Sequence, residues 1–548
     1  MKKPFFITTP IYYGNGIPHI GHAYSSILAD VIARYKRGSG YEVRFSTGID
    51  ENSQKTIESA KKVGIKPMDF LDDMSLKHKK IWEELELDYT DFIRTTEKRH
   101  FDLVSEVLQK CYDSGDIYKG VYEGMYCNGC EAFKKKMDLI DYEGKMVCPD
   151  HLKEPEEIKE NNYFFKLTKY ETWLKEFYDK NPDFLEPHFI FNKIKDFVYD
   201  GLEDFSISRE NAKLGIPLPF DKDHITYVWF DALFNYYTVC RYSKSGDKNN
   251  ETFKDERDFF PPDIHVVGKD IIRFHAIYWP AMLASYFGLG EKGVDNIIHY
   301  LDSDKLYLPK KILSTGFLKV DGQKMSKSLG NVIDPVKYIK KYNKDLLTLS
   351  LLGEFGIGFD GNYDKKNAIL KYNAKLSKNL GNLLNRVVVL AIKVGGKLEK
   401  PQGSIKFKCK NLNNSLYYKG NSDSNLKEFK RLFREDFEKL EIKNSLDHCF
   451  SYLNSLNLLT TEKEPWVLMK TDENEAKKVL FVLAEGLRQV GLSLYPFFPK
   501  KMGELFISLG LDNYVDRLEK GELEVLINEK PDFVIEKKSG ILYPQFEV

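Results

Sequence analysis

"GNGIPHIGHAY" (residues 14–24) joins an apolar, strand-like run, PFFITTPIYY (residues 4–13), to a helix-like run, AYSSILADVIARYKR (residues 23–37). The glycines and the proline of this stretch predict a tight turn between strand and helix, which leaves the N–H groups of the first helical turn facing an anion. His19 and His22 add imidazole donors that can approach a phosphate closely. The stretch therefore predicts a phosphate site; the alternative is a capped helix start with two surface histidines.

The same strand-then-helix pattern continues along the chain. YEVRFSTGIDENSQ (residues 41–54) begins as a strand, contains Asp50 near its end, and leads into a helical run. Such alternation predicts a parallel, doubly wound sheet of the α/β class, whose ligand site lies at the carboxyl ends of the strands. The turn at residues 14–22 and Asp50 are expected to meet there. HITYVWFDALFNYY (residues 224–237) and DIHVVGKDIIRFHAIYWPAMLASYFG (residues 263–288) resume the pattern, so two halves separated in sequence are expected to complete the sheet.

Composition limits the class of protein. At 548 residues the chain is too long for one hydrophobic core, and its 42% of hydrophobic residues can bury several. Its 82 basic and 82 acidic side chains balance, so a nucleic-acid partner must be held by a local patch and not by overall charge. No run approaches the roughly 18 apolar residues of a membrane span, and the N-terminal apolar run is too short for a signal peptide. A cytoplasmic protein with no membrane partner is expected.

Four metal-ligating side chains fall in two short knuckles, CNGC and CPDH. The candidate ligands are Cys127, Cys130, Cys148 and His151. Three thiolates and one imidazole can surround one ion tetrahedrally, as they do around zinc. Because four protein ligands leave no open coordination position, one structural Zn²⁺ per chain is predicted. The alternatives are a coincidental pair of reduced cysteine turns, or a site that has lost its metal while keeping the spacing.

A lysine-containing loop, DGQKMSKSLGN (residues 321–331), lies far downstream of the histidines. Lys324 and Lys327 flank Met325 and a serine between glycines. Mobile lysines on such a loop suit a polyphosphate whose negative charge rises during reaction, because they can close over it when it is bound. Taken alone, the loop is more typical of a solvated surface turn.

HIGH (residues 19–22) and KMSKS (residues 324–328) together resemble the two signature motifs of the class I aminoacyl-tRNA synthetases. Within that class, the sequence is similar to the methionyl-tRNA synthetase family from about Phe5 to at least Trp466. The matching stretches include TPIYYGNGIPHIGHAY, GLEDFSISR, YVWFDAL, GKDIIRFHAIYWPAML, NLGNLLNR and EPWV, and the cysteine knuckles belong to the same pattern.

Two positions depart from that family's pattern. DENS (residues 50–53) replaces the usual Asp-Glu-His-Gly, and Gly14 stands where a proline is common. Neither departure removes a residue that the implied chemistry needs.

The resemblance implies a Rossmann-type parallel sheet, a zinc-binding insertion and a C-terminal all-α anticodon-binding bundle. The expected regions are the first half of the catalytic domain at 1–115, the connective insertion with the zinc knuckle at 116–219, the second half of the catalytic domain at 220–305, the KMSKS and stem-contact region at 306–366, and the helical anticodon-binding domain with a C-terminal tail at 367–548. The chain stops soon after this helical region, so a monomer is expected.

The resemblance also implies a reaction, the ATP-dependent activation of L-methionine to methionyl-adenylate followed by transfer to the 3′ end of tRNA(Met), with Mg²⁺ accompanying ATP. His19 and His22 would donate to the phosphates, Gly21 would admit the adenine and ribose, and Asp270 would bind ribose hydroxyls. Lys327 would stabilise the departing pyrophosphate. The implied catalytic residues are His19, His22, Lys324 and Lys327. The implied ATP-binding residues are His19, Gly21, His22, Asp270 and Lys327.

Amino-acid and tRNA recognition follow from the same resemblance. The residues that match the methionine pocket are Ile11, Tyr13, Asp50, Trp229, Ala232, Leu233, Tyr236 and His275. Asp50 would hold the substrate ammonium, and ring edges with weak bonds from Tyr13 and His275 would select the thioether. The residues that match the anticodon readers are Asn382, Arg386 and Trp466.

Several alternatives stand beside this interpretation. The chain could be another small class I synthetase, a small-molecule nucleotidylyltransferase with an H-x-G-H turn, or a catalytically silent, synthetase-derived RNA-binding protein. At the level of single residues, Trp229 and Tyr236 could be ordinary core. Arg386 could pair with an acidic neighbour, and Trp466 could pack inside the helical bundle.

Overall fold

The computed structural model of the chain describes residues 2–127, 132–134, 139–149, 152–210, 214–242, 259–288, 308–320, 322–325, 331–401, 422–536 and 540–548. The strands in these residues are β1 (Pro4–Tyr13), β2 (Glu42–Asp50), β3 (Asp91–Arg94), β4 (Ile117–Cys127), β5 (Ala132–Lys134), β6 (Ile140–Tyr142), β7 (Lys145–Val147), β8 (Glu156–Phe165), β9 (Leu185–Glu186), β10 (Phe205–Ser206), β11 (Ser208–Glu210), β12 (Pro217–Leu218), β13 (Asp221–Thr226), β14 (Ile264–Gly268), β15 (Ile312–Thr315), β16 (Leu318–Val320), β17 (Gln323–Lys324), β18 (Gly361–Tyr363), β19 (Lys397–Leu398) and β20 (Phe533–Val534).

The α-helices in the described residues are α1 (Ile20–Gly38), α2 (Gln54–Val63), α3 (Pro67–Glu84), α4 (Lys98–Asp113), α5 (Glu171–Lys180), α6 (His188–Tyr199), α7 (Val228–Leu233), α8 (Asn235–Arg241), α9 (Trp279–Tyr286), α10 (Pro335–Lys341), α11 (Lys344–Leu352), α12 (Lys365–Tyr372), α13 (Asn382–Lys393), α14 (Ser422–Glu438), α15 (Ile442–Lys463), α16 (Pro465–Thr471), α17 (Glu473–Leu494), α18 (Pro499–Ser508), α19 (Tyr514–Glu519) and α20 (Leu523–Asn528). Two π-helices span Phe274–Tyr278 and Asn373–Gly381, and short 3₁₀ turns span Leu167–Tyr170 and Lys269–Ile271.

A six-stranded sheet of order β3-β2-β1-β14-β15-β9 forms the centre of the fold. Each neighbouring pair in this sheet is parallel. The two halves of the sheet meet where β1 pairs with β14, with Ile7 opposite Ile264, and a buried bond of 2.7 Å joins Thr8 Oγ1 to His265 Nδ1 across the junction. The predicted α/β class, with a parallel sheet completed by two separated halves, is confirmed.

A proline changes the direction of β1 near its carboxyl end. Pro10 has no N–H to donate to the neighbouring strand, and the register between β1 and β2 shifts between Thr8 and Ile11. An extra residue in one strand bends it locally and turns the following side chains. The bulge thus precedes Ile11 and Tyr13, the two strand residues that match the methionine pocket.

The region predicted as an insertion folds mainly around antiparallel strands. β4 pairs with β8 along most of its length, within a sheet of order β10-β8-β4-β5. β9, however, lies inside residues 116–219 and forms the edge of the central sheet, where Leu185 pairs with Ile312. This range is therefore not wholly separate from the parallel sheet, and the predicted region boundaries stay predictions.

The C-terminal part of the chain is helical, as the amphipathic pattern predicts. It runs from α12 to α20, and the two-residue strands β19 and β20 pair within it. The end of α1 packs against this region, since the rings of Tyr35 and Phe437 stack at 4.0 Å and Lys36 pairs with Glu438 at 2.6 Å. One helix thus joins the sheet edge to the helical region. Among the helices described, none has the length and apolarity that crossing a membrane requires.

Candidate active site

A cavity of about 220 Å³ opens at the carboxyl ends of the central strands. All the residues that match the methionine pocket line it, together with four predicted phosphate and ribose contacts. The predicted residues in its wall are Ile11, Tyr13, His19, Gly21, His22, Asp50, Trp229, Ala232, Leu233, Tyr236, Asp270 and His275. They lie at strand ends, at the start of α1, in the helices α7 and α8, in the turn after β14 and in the π-helix Phe274–Tyr278. The structure therefore brings together in one cavity residues from two distant parts of the sequence.

Part of the cavity wall was missed from sequence. Thr315 at the end of β15 and the adjoining Gly316 and Phe317 line the cavity beside Asp270. They lie there because β15 is parallel to β14 and ends at the same edge of the sheet. Assigning the short run "ILST" as a strand would have found them.

The helix α1 begins at Ile20, and not after the second histidine. His19 is its N-cap: Nδ1 of His19 accepts from the N–H of Gly21 at 3.0 Å, and the His19 N–H donates to Nδ1 of His22 at 3.1 Å. The prediction that the first-turn N–H groups face an anion is therefore wrong for Gly21, whose N–H is bonded to His19. The two imidazoles stack with centroids 3.9 Å apart.

This capping arrangement fixes the tautomer of both histidines. A neutral imidazole has one donor nitrogen and one acceptor nitrogen. Because Nδ1 accepts from the backbone in His19 and in His22, each neutral ring carries its proton on Nε2. Both rings line the cavity. The turn therefore places two imidazole N–H groups in the wall of the cavity.

Gly21 is the point where the histidine turn meets the lysine loop. A methyl group on Gly21 would lie 2.8 Å from Cε1 of His19 and 3.5 Å from Cε of Met325. The first distance is shorter than real Cβ contacts, so the His19 ring occupies the space that a side chain would need. Met325 also lines the cavity. The backbone of Lys324 in β17 pairs with that of Lys319 in β16, and Lys327 lies outside the described residues.

Asp50 ends β2 as a buried acid in the cavity wall. Its backbone carbonyl accepts from the N–H of Gly14 at 2.7 Å, a bond that the proline common at that position could not make. The adjacent Glu51 points elsewhere, since it pairs with Arg94 at 2.8 Å and accepts from Thr96. Burial raises the pKa of Glu51. Asp50 therefore lines the cavity, whereas Glu51 takes part in a structural ion pair.

His275 lies in the π-helix beside the cavity, with both ring nitrogens engaged. Its Nδ1 donates to the carbonyl of Ile271 at 2.9 Å, and its Nε2 accepts from the hydroxyl of Tyr236 at 2.7 Å. Burial lowers the pKa of His275 to about 4, so the ring is neutral near pH 7. No N–H is left for a thioether, and the bond predicted from His275 to sulfur is not available in this arrangement. His275 instead orients Tyr236.

Aromatic rings form the apolar side of the cavity. Trp229 is partly buried and stacks on Phe274 with centroids 3.8 Å apart, and Tyr13 meets Trp229 edge-on at 6.5 Å. Tyr236 is almost wholly buried and still lines the cavity, so it serves both as core and as wall. Such ring edges and faces suit a polarisable, unbranched side chain.

The predicted anticodon readers lie outside this cavity, in the helical region. Asn382 and Arg386 are exposed and four residues apart on α13, so they share one face. Trp466 on α16 is 42% exposed, and the alternative that it packs inside the bundle is wrong. The helices α13 and α16 both pack against α17.

Two of the four predicted zinc ligands are described. Cys127 ends β4 and Cys148 follows β7, and both are buried. Cys130 and His151 lie outside the described residues. Within the described part of the chain, no group of three metal-ligating side chains comes together.

Comparison with known proteins decides the family. A family model described as "tRNA synthetases class I (M)" matches residues 5–388. The chain belongs to the methionyl-tRNA synthetases. It is 37% identical to a methionine–tRNA ligase of Caldanaerobacter subterraneus subsp. tengcongensis, over 100% of this chain and 80% of that protein. It is also 37% identical to one of Rickettsia bellii over 100% of both chains.

Solved structures agree with this membership of the methionyl-tRNA synthetases. The structure of Mycobacterium tuberculosis methionyl-tRNA synthetase in complex with methionyl-adenylate matches with a TM-score of 0.86 and 30% identity. The match covers 99% of this chain and 100% of that one. The family is one of ligases, and membership in it is favoured over the other class I synthetases and over a small-molecule nucleotidylyltransferase.

Proposed function

We propose that the chain activates L-methionine with ATP to form methionyl-adenylate and transfers the methionyl group to the 3′ end of tRNA(Met). One observation carries this proposal: a single cavity is lined by a buried acid, by aromatic rings and by two N–H-bearing imidazoles. An amino acid held by the acid and the rings can therefore present its carboxylate to a phosphate held by the imidazoles. A cytoplasmic location and a monomeric state belong to the same proposal.

In the first step, a carboxylate oxygen of methionine bonds to the α-phosphorus of ATP. The bond from that phosphorus to the bridging oxygen breaks, and pyrophosphate leaves with the electron pair. Asp50 pairs with the substrate ammonium and so aims the carboxylate toward His19 and His22. Their Nε2 protons stabilise the charge that develops on the phosphate oxygens. ATP enters as its Mg²⁺ complex.

The remaining predicted residues act on the ends of ATP. Asp270, in the turn after β14, accepts from ribose hydroxyls at the cavity mouth. Lys324 and Lys327 close over the pyrophosphate, with Met325 holding their loop against Gly21. In the second step, a ribose hydroxyl at the tRNA 3′ end attacks the carbonyl carbon of the adenylate, and AMP leaves.

ATP–pyrophosphate exchange across the protein amino acids tests the function. We expect exchange with methionine to exceed exchange with every other amino acid. A maximum for another amino acid would overturn the substrate. Exchange with none of them, in folded protein that binds tRNA, would instead support the catalytically silent RNA-binding alternative.

The purified protein is expected to contain about one Zn²⁺ per chain, because three thiolates and an imidazole satisfy its tetrahedral coordination. Cys127 and Cys148 are buried, which suits an ion whose role is structural. Metal analysis of reduced protein prepared without chelator measures the content. Cys148→Ser should lose the ion, whereas Cys111→Ser, at a buried thiol in α4, should retain it. Absence of zinc from the wild-type protein contradicts the site.

Trp466→Ala is expected to lower the efficiency of tRNA charging by about one to two powers of ten, because stacking of one base on an aromatic ring is worth about 1–3 kcal/mol. Pyrophosphate exchange should be nearly unchanged, since Trp466 lies outside the cavity. Both reactions are measured on the same preparation. Ile507→Ala, an exposed apolar residue on α18, is the matched control and should leave both unchanged. Equal losses in the two reactions would make Trp466 structural.

A further inference from the structure

A chain of buried polar side chains lies behind the cavity wall; we call Asn52, Asp231, His100 and Thr238 the buried bridge. All four are buried, and Asp231, His100 and Thr238 have no exposed surface. Asn52 Nδ2 lies 2.6 Å from Oδ2 of Asp231, and His100 Nε2 lies 2.7 Å from its Oδ1. His100 Nδ1 lies 2.8 Å from Oγ1 of Thr238. The bridge is thus continuous from the end of β2 to α8.

The hydrogen-bond directions within the bridge follow from counting protons. Thr238 has one hydroxyl proton, which it donates to the carbonyl of Phe234 at 3.0 Å, so His100 Nδ1 must donate to Thr238. His100 Nε2 and Asp231 Oδ1 then share one proton. Asn52 donates to the other oxygen of Asp231 and to the carbonyl of Thr95. Each oxygen of the buried carboxylate therefore has a fixed partner, which a buried charge requires.

The bridge connects the two sides of the methionine pocket. Asn52 follows Asp50 by two residues. Asp231 lies on α7 between Trp229 and Ala232, and Thr238 follows Tyr236 on α8. The bridge therefore runs from the segment that follows Asp50 to the two helices that carry the aromatic wall. A rigid link at this place fixes how far the acid stands from the rings.

We propose that Asn52 and His100 are positioning residues, which hold α7 and α8 at a fixed distance from Asp50 and thereby set the affinity and selectivity for methionine. This inference rests on the proposed function. It also gives a role to the DENS departure: the amide of Asn52 donates to Asp231 where the family pattern has a histidine.

The test is ATP–pyrophosphate exchange with Asn52→Leu, which keeps a similar volume and removes both donations. We expect the KM for methionine to rise about tenfold while the KM for ATP stays within about twofold, because the lost bonds act on the amino-acid side of the cavity. Selectivity for methionine over norleucine should fall. Asn52→His, which restores a donor, should recover the methionine KM.

Two further variants keep the test decisive. If Asn52→Leu fails to fold, Thr238→Val provides the test. It leaves the Nδ1–H of His100 without its acceptor, and it should also raise the methionine KM. Asn373→Leu removes two bonds to the backbone of Phe546, far from the cavity wall, and should leave the methionine KM unchanged. An unchanged methionine KM in Asn52→Leu, or equal losses for methionine and ATP, overturns the inference. Wild-type protein without methionine-dependent exchange overturns the proposed function and the inference with it.

Discussion

His19→Asn is expected to slow adenylate formation by about 10²- to 10³-fold, the usual cost of removing one side-chain donor that faces developing charge. Asparagine is among the best N-cap residues, so its side chain can still accept from the N–H of Gly21. With its oxygen in the cap, the shorter asparagine side chain cannot carry its NH₂ protons to the position of His19 Nε2. The free energy of unfolding should stay within about 0.5 kcal/mol of the wild type, because the cap is preserved. Single-turnover adenylate formation and thermal unfolding measure the two quantities.

A reciprocal control separates capping from catalysis. Asp364 caps α12 through the N–H of Asn367 and lies outside the cavity wall. Asp364→Ala should cost about 1 kcal/mol of stability and leave the adenylation rate unchanged. If His19→Asn reacts at the wild-type rate, His19 is a helix cap and nothing more.

Asp50→Asn is expected to raise the KM for methionine in pyrophosphate exchange by about 10²- to 10³-fold, because it leaves a buried ammonium without its opposite charge. The substitution preserves the shape of the side chain, and the backbone bond from Gly14 to residue 50 remains. The KM for ATP should change little. Steady-state exchange at saturating ATP, with methionine varied, measures the effect.

The neighbouring acid offers the contrast for Asp50→Asn. Glu51→Gln removes one of the two carboxylates that pair with Arg94, Asp72 being the other, and should lower the melting temperature, because Glu51 is bonded away from the cavity. Its methionine KM should rise far less than that of Asp50→Asn. A methionine KM in Asp50→Asn equal to that of the wild type would contradict the ion pair with the substrate.

The local sequence pattern predicts the strands and helices whose own residues are typical of those elements. β1 and β14 are buried and mostly apolar, β2 is a buried strand that ends at Asp50, and α1 is a long helix after a turn, so the parallel sheet and its ligand edge follow from sequence. β9 could not be found in this way. Its two residues are a strand only because they pair with β15, and that pairing depends on the folded sheet.

The residues of the site differ in how well the sequence predicts their positions and contacts. Strand ends place Asp50 at the sheet edge, whereas the start of α1 was misplaced because a histidine cap is not a usual signal of a helix start. Tyr236 and His275 are 39 residues apart, and His275 lies in a π-helix. Hydrophobic periodicity predicts neither the π-helix nor this contact. The buried bridge was not predicted for the same reason. The hydrogen-bond partners of buried polar side chains depend on the tertiary structure.

The pairing of β1 with β14 also bears on how the enzyme is made. Thr8 and His265, which join these strands, are 257 residues apart. A ribosome that adds about 5–20 residues per second needs about 13–50 s to travel from one to the other. Throughout that interval the inner edge of β1 has no neighbour and offers unpaired backbone groups to any other nascent strand. The yield of active protein should therefore depend on translation speed between the two sheet halves and on chaperones that shield this edge.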